Sequence, residues 1–203
     1  MFSRCRPERH TGLKIIVTGI SNSGRREFME DFERLCRQKG ADISFFDIGT
    51  VMKQTGKESG IDFTDLKVLD SDATVLSLAR RTAFYKISLE AQKTEHSCVG
   101  IHACFRWRGI LLEGLAYREV LEFPADIFLN VVDHIQDVIA RFQANPQWSW
   151  MQKDEVGVWM DEEEFITEQL AKLCNKPFYV VAREQPVEDV YDLCFGDKKK
   201  FYL

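Results

Sequence analysis

Residues 19–26 read Gly19-Ile20-Ser21-Asn22-Ser23-Gly24-Arg25-Arg26, and their types and spacing suit the binding of a phosphate. Two glycines five positions apart let backbone N–H groups curl round an anion, and a helix starting just beyond them would aim its positive end at the same point. The full GxxxxGK[ST] motif adds a Lys for the β- and γ-phosphates and a hydroxyl for Mg²⁺. Here the frame is kept and both side chains differ. Arg25 holds the Lys position with a broad planar fork in place of a compact ammonium. Arg26 holds the hydroxyl position, where a cation cannot ligate magnesium. The competing reading is a plain tight turn between a strand and a helix, so what flanks the loop matters.

The flanks are those of a phosphate loop. Leu13 to Thr18 is an apolar, β-branched run that reads as a strand buried on both faces. From Gly24 to Lys39, the residues Phe28, Met29, Phe32, Leu35 and Cys36 recur at helical spacing, and Gly40 closes the helix. Further strands are expected at Ala41–Phe46, Ser97–Ala103, Ile127–Val132 and Phe178–Ala182. Helices are expected through Val75–Ile87, from an Asp133 N-cap through Phe142, from an Asp161/Glu164 capping box through Leu173, and from Pro186 to Gly196. This alternation predicts an α/β fold, a five-stranded parallel sheet with helices on both faces, whose ligands bind at the carboxyl ends of the strands. Two insertions interrupt it, a helical lobe at 49–83 and a short Trp-bearing segment at 144–160. An N-terminal extension (1–12) and a lysine-rich tail (197–203) complete a single domain spanning 1–203.

Composition narrows the function. The 203 residues carry 27 basic and 32 acidic side chains, a net charge of −5, which offers no overall field for nucleic acid or anionic lipid. No run approaches the roughly 20 apolar residues of a membrane span, and residues 1–12 lack the apolar core of a signal peptide. Six scattered cysteines, Cys5 included, without a CxxC pair suggest reduced thiols and a cytoplasmic setting.

Taken together the motifs resemble the archaeal-type adenylate kinases among P-loop nucleoside monophosphate kinases, over about Leu13 to Leu193. Besides the loop, Asp47-Ile48-Gly49-Thr50-Val51-Met52 is similar to the segment that opens the family's monophosphate lobe. Ile101-His102-Ala103, followed by Gly109 and Gly114-Leu115, is similar to its stretch after strand three. Asp133-His134 with Arg141 resembles the start and end of the helix leading into the lid, and Asp161 to Glu164 the acidic restart beyond it. The resemblance implies a P-loop NTPase three-layer sandwich with small monophosphate-binding and lid insertions, ATP or another adenine nucleotide as ligand, and Arg80 facing the monophosphate.

The departures weigh against turnover. Gly100 stands where the family carries the aspartate that organises Mg²⁺, and 144–160 has no arginine where the family's lid clamps the transferring phosphoryl group. Phosphoryl transfer depends on positioning and charge neutralisation, and one arginine can be worth roughly 10³ to 10⁵ in rate. The expected activity is therefore nucleotide or phosphate binding, through Gly19, Ser21, Asn22, Ser23, Gly24, Arg25 and Arg26, in a regulatory or interaction module with doubtful need of Mg²⁺. The alternative is an active monophosphate kinase or NTPase in which Arg25 is the catalytic cation and Asp47 or Glu113 recruits the metal. Another alternative is an empty scaffold.

Other clusters have two readings each. His96, Cys98, His102 and Cys104 share strand parity, which invites zinc, yet neighbours on one strand do not surround an ion, and buried thiols explain them. Arg80 and Arg106 could hold phosphate oxygens or merely sit in ion pairs. Trp148, Trp150 and Trp159 could form a lid, join the core, or anchor a protein partner, and the sequence leans toward the partner.

Overall fold

The computed structural model describes residues 12–63 and 68–196. Residues 1–11 of the N-terminal extension, Cys5 among them, the middle of the 49–83 lobe (64–67) and the lysine-rich tail fall outside those residues.

Five parallel strands form the sheet: β1 (Lys14–Thr18), β2 (Ile43–Asp47), β3 (His96–Gly100), β6 (Ile127–Val132) and β7 (Phe178–Ala182), in the order β2-β3-β1-β6-β7. β1 is central, pairing Ile15 with Cys98 on one side and with Ile127 on the other. The strand after β1 in sequence lies beyond β3 and the strand after β3 crosses to the far side of β1, so the switch point falls at the carboxyl end of β1, where the loop is. Period-two alternation divides the strand side chains. Ile16, Val99 and Phe128 face a core with α2 (Ile48–Glu58), α3 (Ala73–Ala91) and the end of α6 (Lys153–Leu173). Ile15, Val17, Cys98, Leu129 and Val131 face α1 (Arg25–Gln38) and α7 (Val187–Phe195). The expected three-layer α/β fold is the observed one. Lys14, inside the run read as apolar, is buried yet satisfied, because its ammonium donates to the carbonyls of Ala91 and Thr94 at the end of α3.

Several boundaries differ from expectation. The Ser97–Ala103 strand stops at Gly100, and Cys104 opens a separate antiparallel hairpin, β4 (Cys104–Trp107) with β5 (Ile110–Glu113), turned at Arg108 and Gly109 with φ of 50° and 78°. A short α4 (Tyr117–Glu122) follows. The N-cap of α5 (Ile135–Ala144) is His134 instead of Asp133, and Pro186 is the N-cap of α7 instead of its first helical residue. α6 begins at Lys153, so Asp161 and Glu164 lie inside a helix and cap nothing. Burial of Val156 and Trp159 pulls those eight extra residues into it.

Trp148 and Trp159 are not a surface anchor. With Trp107, Phe142, Val138 and Met151 they form a third core between α5, α6 and the hairpin, with Trp148–Trp159 ring centroids 5.0 Å apart. Trp159 donates from Nε1 to the Cys104 carbonyl at 3.1 Å, and of the three only Trp150 is exposed. Aromatic area this large is stabilised inside, where edge and tilted contacts form, more than by a loop in water.

Candidate functional site

The loop is curled. Gly19 follows β1 with φ 150°, and a Cβ there would lie 2.7 Å from the Val131 carbonyl oxygen. Asn22 and Gly24 take left-handed φ values of 60° and 81°, a conformation that glycine adopts freely and asparagine tolerates. α1 then starts at Arg25 with no side-chain cap, and its first backbone bond runs from the Phe28 amide to the Gly24 carbonyl at 2.9 Å. The amides of Arg25, Arg26 and Glu27 therefore have no intrahelical acceptor, and they share the positive end of the helix dipole. Two further donors, Ser23 Oγ and Asn22 Nδ2, are buried with no partner among the described residues.

Beneath the loop sits Glu163, a residue the sequence reading placed only in an acidic run. Its side chain, 1% exposed, accepts from the Gly19 amide (3.0 Å), the Ala103 amide (2.8 Å) and the Cys104 amide (2.8 Å). Burial lifts its carboxyl above the usual carboxylate range, and the three amides and Arg25 oppose that lift. Thr167, one turn on, bonds Thr18 at 2.8 Å, so α6 fastens the end of β1 at two places. The available signal was the buried stripe Val156, Trp159, Glu163, Thr167, Leu170, in which a carboxylate and a hydroxyl interrupt an apolar helix face. Only the Gly19 amide of the loop is consumed in this way; the helix-end amides stay open.

Arg25 turns toward the end of β2, with Nη2 3.5 Å from Asp47 Oδ2 while its buried Nη1 has no partner. Burial lowers its proton affinity, and the Asp47 and Glu163 charges oppose that lowering only in part. Arg26 is 67% exposed, with Asp47 Oδ1 4.0 Å away. Asp47 is also the N-cap of α2, accepting from the Thr50 amide (2.9 Å) and hydroxyl (2.8 Å), and Gly49 lies in the first turn. His102 packs on Phe105 with ring centroids 4.4 Å apart; burial, with Arg25 second, holds its pKa well below the ordinary value, so the ring is neutral.

The residues present do not fit a magnesium ion. A Cβ at Gly100, where the resemblance implies an aspartate, would lie 2.4 Å from Met29 Sδ, so a side chain of α1 fills that space. Arg26 replaces the hydroxyl, Asp47 is held by two guanidiniums and a helix cap, and Glu113 is held by Arg80. Among the described residues no three His, Cys, Asp or Glu side chains come together as a metal site. His96 accepts from the Leu13 amide at the far end of β3, and Cys98 is in the α1-side core, so the parity argument for zinc ends with the strand.

The other arginines meet carboxylates. Arg80 is buried and donates to the Glu113 carbonyl and, at 3.4 Å, to Glu113 Oε2, with Glu119 Oε2 3.9 Å from its Nε. Arg106 forms a two-pronged pair with Glu162, Nε to Oε2 at 2.9 Å, and is not brought to the cleft. Its strand, β4, points it at α6, which explains why the expected monophosphate role has no geometry behind it. Arg141, near the end of α5, pairs with Asp133.

Two cavities meet at the loop. One, of about 170 Å³, lies on the β2–β3 side and is lined by Arg25, Asp47, Met52, Arg80, Phe105 and Trp148 among others. The second, about 660 Å³, lies on the side of residues 144–148, against Ser21, Gly24, Arg26, His102, Arg141 and Gln147.

No protein-family model matches the chain, and no curated protein sequence matches it. Solved structures do. Shikimate kinase from Bacteroides thetaiotaomicron superimposes with a TM-score of 0.53 at 14% identity, over 89% of this chain and 97% of that one. A provisionally assigned kinase from Chloroflexus aurantiacus gives 0.54 at 11% identity, over 90% and 93%. The fold is that of P-loop kinases. At these identities the likeness concerns architecture alone.

Proposed function

We propose that this P-loop kinase-type domain binds the phosphate of an adenine nucleotide, or phosphate itself, without Mg²⁺, and that it serves as a regulatory or interaction module with little phosphotransfer of its own. The observation that carries this is the uncapped start of α1, whose free amides stand beside two buried, unpartnered donors on Ser23 and Asn22. Such groups are costly to leave unsatisfied, and one anion satisfies all of them. Arg26, the least engaged guanidinium of the loop, supplies a charge-assisted contact. Gly19, Ser21, Asn22, Ser23, Gly24, Arg25 and Arg26 form the anion site. Asp47, Gly49, Arg80 and His102 border the adjoining cleft, Thr50 holds Asp47 from the first turn of α2, and Arg141 stands beside the proposed lid.

Weak turnover follows from the same geometry. The metal positions are filled by Met29 and Arg26, and lid residues 144–160 bring no arginine toward the loop. The resemblance to adenylate kinases supports an adenine nucleotide, and the free cysteines among the described residues suit a cytoplasmic setting. The test is thermal stability in EDTA. A ligand at 100 times its Kd stabilises by about 2.7 kcal/mol, so ADP or orthophosphate raises the unfolding midpoint and Arg26→Ala weakens the shift. No shift with either ligand refutes the proposal, and steady turnover of ATP with a monophosphate, lost in Arg25→Ala, would favour the kinase reading instead.

A further inference from the structure

Helix α3 is apolar on two opposite faces, although the sheet needs only one of them. With about 3.6 residues per turn, Leu76, Ala79, Ala83, Phe84 and Ile87 fall on one side, where they join the core that holds Ile16, Val99 and Phe128 of the sheet. Val75, Leu78, Thr82, Tyr85 and Leu89 fall together on the opposite side, and the four large apolar ones are between 37% and 65% exposed. Helix α1 carries the usual outer face, with Arg26, Glu30, Arg34 and Arg37 at exposed positions. A helix that is apolar all round is one covered on every side, and among the described residues the outer face of α3 stays open.

The stripe has the symmetry of one half of a two-fold contact. Val75 and Leu89 lie seven residues before and after Thr82, while Leu78 lies four before it and Tyr85 three after it. An antiparallel copy of α3 with the two-fold axis at Thr82 sets Val75 against Leu89, Leu78 against Tyr85 and Thr82 against itself, which is the self-complementarity such an axis requires. The Thr82 hydroxyl donates to the Leu78 carbonyl at 2.8 Å, so the residue at the centre has its polar atom satisfied within its own helix and can be buried without loss. Charges border the stripe, Arg81 on one side and Lys86 and Glu90 on the other, with Lys86 held by Glu58 of α2 at 2.9 Å. An apolar centre inside a polar rim is the ordinary anatomy of an interface.

The area suffices. Beside α3, the end of α4 packs through Phe123 on Phe84, with ring centroids 5.8 Å apart, and α4 adds Tyr117 and Leu121, one turn apart and 45% and 57% exposed. Each of the six exposed side chains offers on the order of 100 Å² for burial, about 600 Å² together. A stable interface buries about 800 Å² per partner, of which about 60% is apolar.

From this we infer that the outer face of α3, with α4 beside it, is the interface of a homodimer in which the two α3 helices pack antiparallel about Thr82. The dimer does not depend on what the loop binds, since the stripe points away from the core while the loop lies at the carboxyl end of β1.

The experiment is sedimentation velocity of the full chain from about 1 to 200 µM. The 23.6 kDa chain is expected to form a species of twice that mass within this range. Leu78→Glu and Tyr85→Glu are each expected to weaken association at least roughly hundredfold, because each substitution enters the contact twice. Both positions are more than half exposed in the single chain, so the far-ultraviolet circular dichroism is expected to stay at the wild-type spectrum. Thr82→Cys, oxidised with copper phenanthroline, is expected to give a covalent dimer well in excess of the wild-type chain under the same treatment. Should a glutamate variant lose its helical spectrum, Thr82→Cys still decides. A monomer throughout the range, a trimer or larger species, or a dimer that either folded glutamate variant retains would overturn the homodimer. A Thr82→Cys chain that dimerises without cross-linking would overturn it as well.

Discussion

Placing an aspartate at position 100, where the resemblance to adenylate kinases implies one, probes whether the packing there has room for a carboxylate. Gly100 ends β3, and a Cβ there would sit 2.4 Å from Met29 Sδ and 3.0 Å from its methyl, with Arg25 Nε at 3.7 Å. Comfortable contact needs about 3.5–4.0 Å, so Met29 must retreat by more than about 1 Å inside a core where it is 6% exposed. Overpacking of this kind costs about 1–3 kcal/mol, and the new carboxylate adds a desolvation cost that Arg25 offsets only in part. Met29→Ala alone removes a buried side chain and costs about 2–5 kcal/mol. In the double variant the space left by Met29 receives the aspartate, so Gly100→Asp with Met29→Ala is expected to lose at least 1 kcal/mol less than the two single losses combined. Urea unfolding followed by Trp fluorescence gives the four stabilities of the cycle. Additivity within about 0.5 kcal/mol would show that Met29 does not occupy the space an aspartate at position 100 would need, and the packing argument would fail.

Three other outcomes are expected. His102 has a folded pKa well below the ordinary 6.5, so both states are neutral above that value and the unfolded chain takes its proton first as pH falls. Stability contributed by the neutral ring is lost on acidification, by about 2 kcal/mol between pH of about 7.5 and 5.0, and His102→Gln flattens that part of the pH–stability curve; an unchanged slope would contradict it. Glu163→Gln sets an amide donor against one of three backbone N–H donors and lowers stability by about 1–3 kcal/mol, measured by urea unfolding; a loss under about 0.5 kcal/mol would mean that the three bonds are not formed together. Arg106→Ala breaks a pair of surface type, about 21% and 24% exposed, so it costs less than about 1 kcal/mol and leaves phosphate affinity within twofold in calorimetry. A tenfold loss of affinity there would return Arg106 to the binding site.

How much of this was legible in the chain follows from the range of the interactions. The β1 strand, the 19–26 loop and α1 are written locally, in a β-branched run, two glycines and a 3.6-residue period, and all three stand where the sequence puts them. The start of α6 was not legible, since Asp161 and Glu164 imitate a cap while the burial of Val156 and Trp159, a tertiary matter, extends the helix to Lys153. The β4–β5 hairpin was missed because its four-residue strands carry little period, although Arg108-Gly109 at positive φ marks its turn. The fate of the arginines is the clearest case. An arginine's type and position suggested phosphate, but whether its guanidinium is available depends on a carboxylate far off in sequence, such as Glu162 for Arg106, 56 residues away. Trp148 and Trp159 misled in the same way, their burial being decided by Phe142 and Trp107 on other elements.

The most direct measurement is calorimetric titration of the full chain with ADP and with orthophosphate, once in EDTA and once in excess Mg²⁺. An open helix start with unpartnered Ser23 and Asn22 donors predicts saturable binding in EDTA, with a Kd that Mg²⁺ does not improve by more than about twofold. Heat of binding seen only when Mg²⁺ is present, or none under either condition, would contradict a metal-free anion site in this loop.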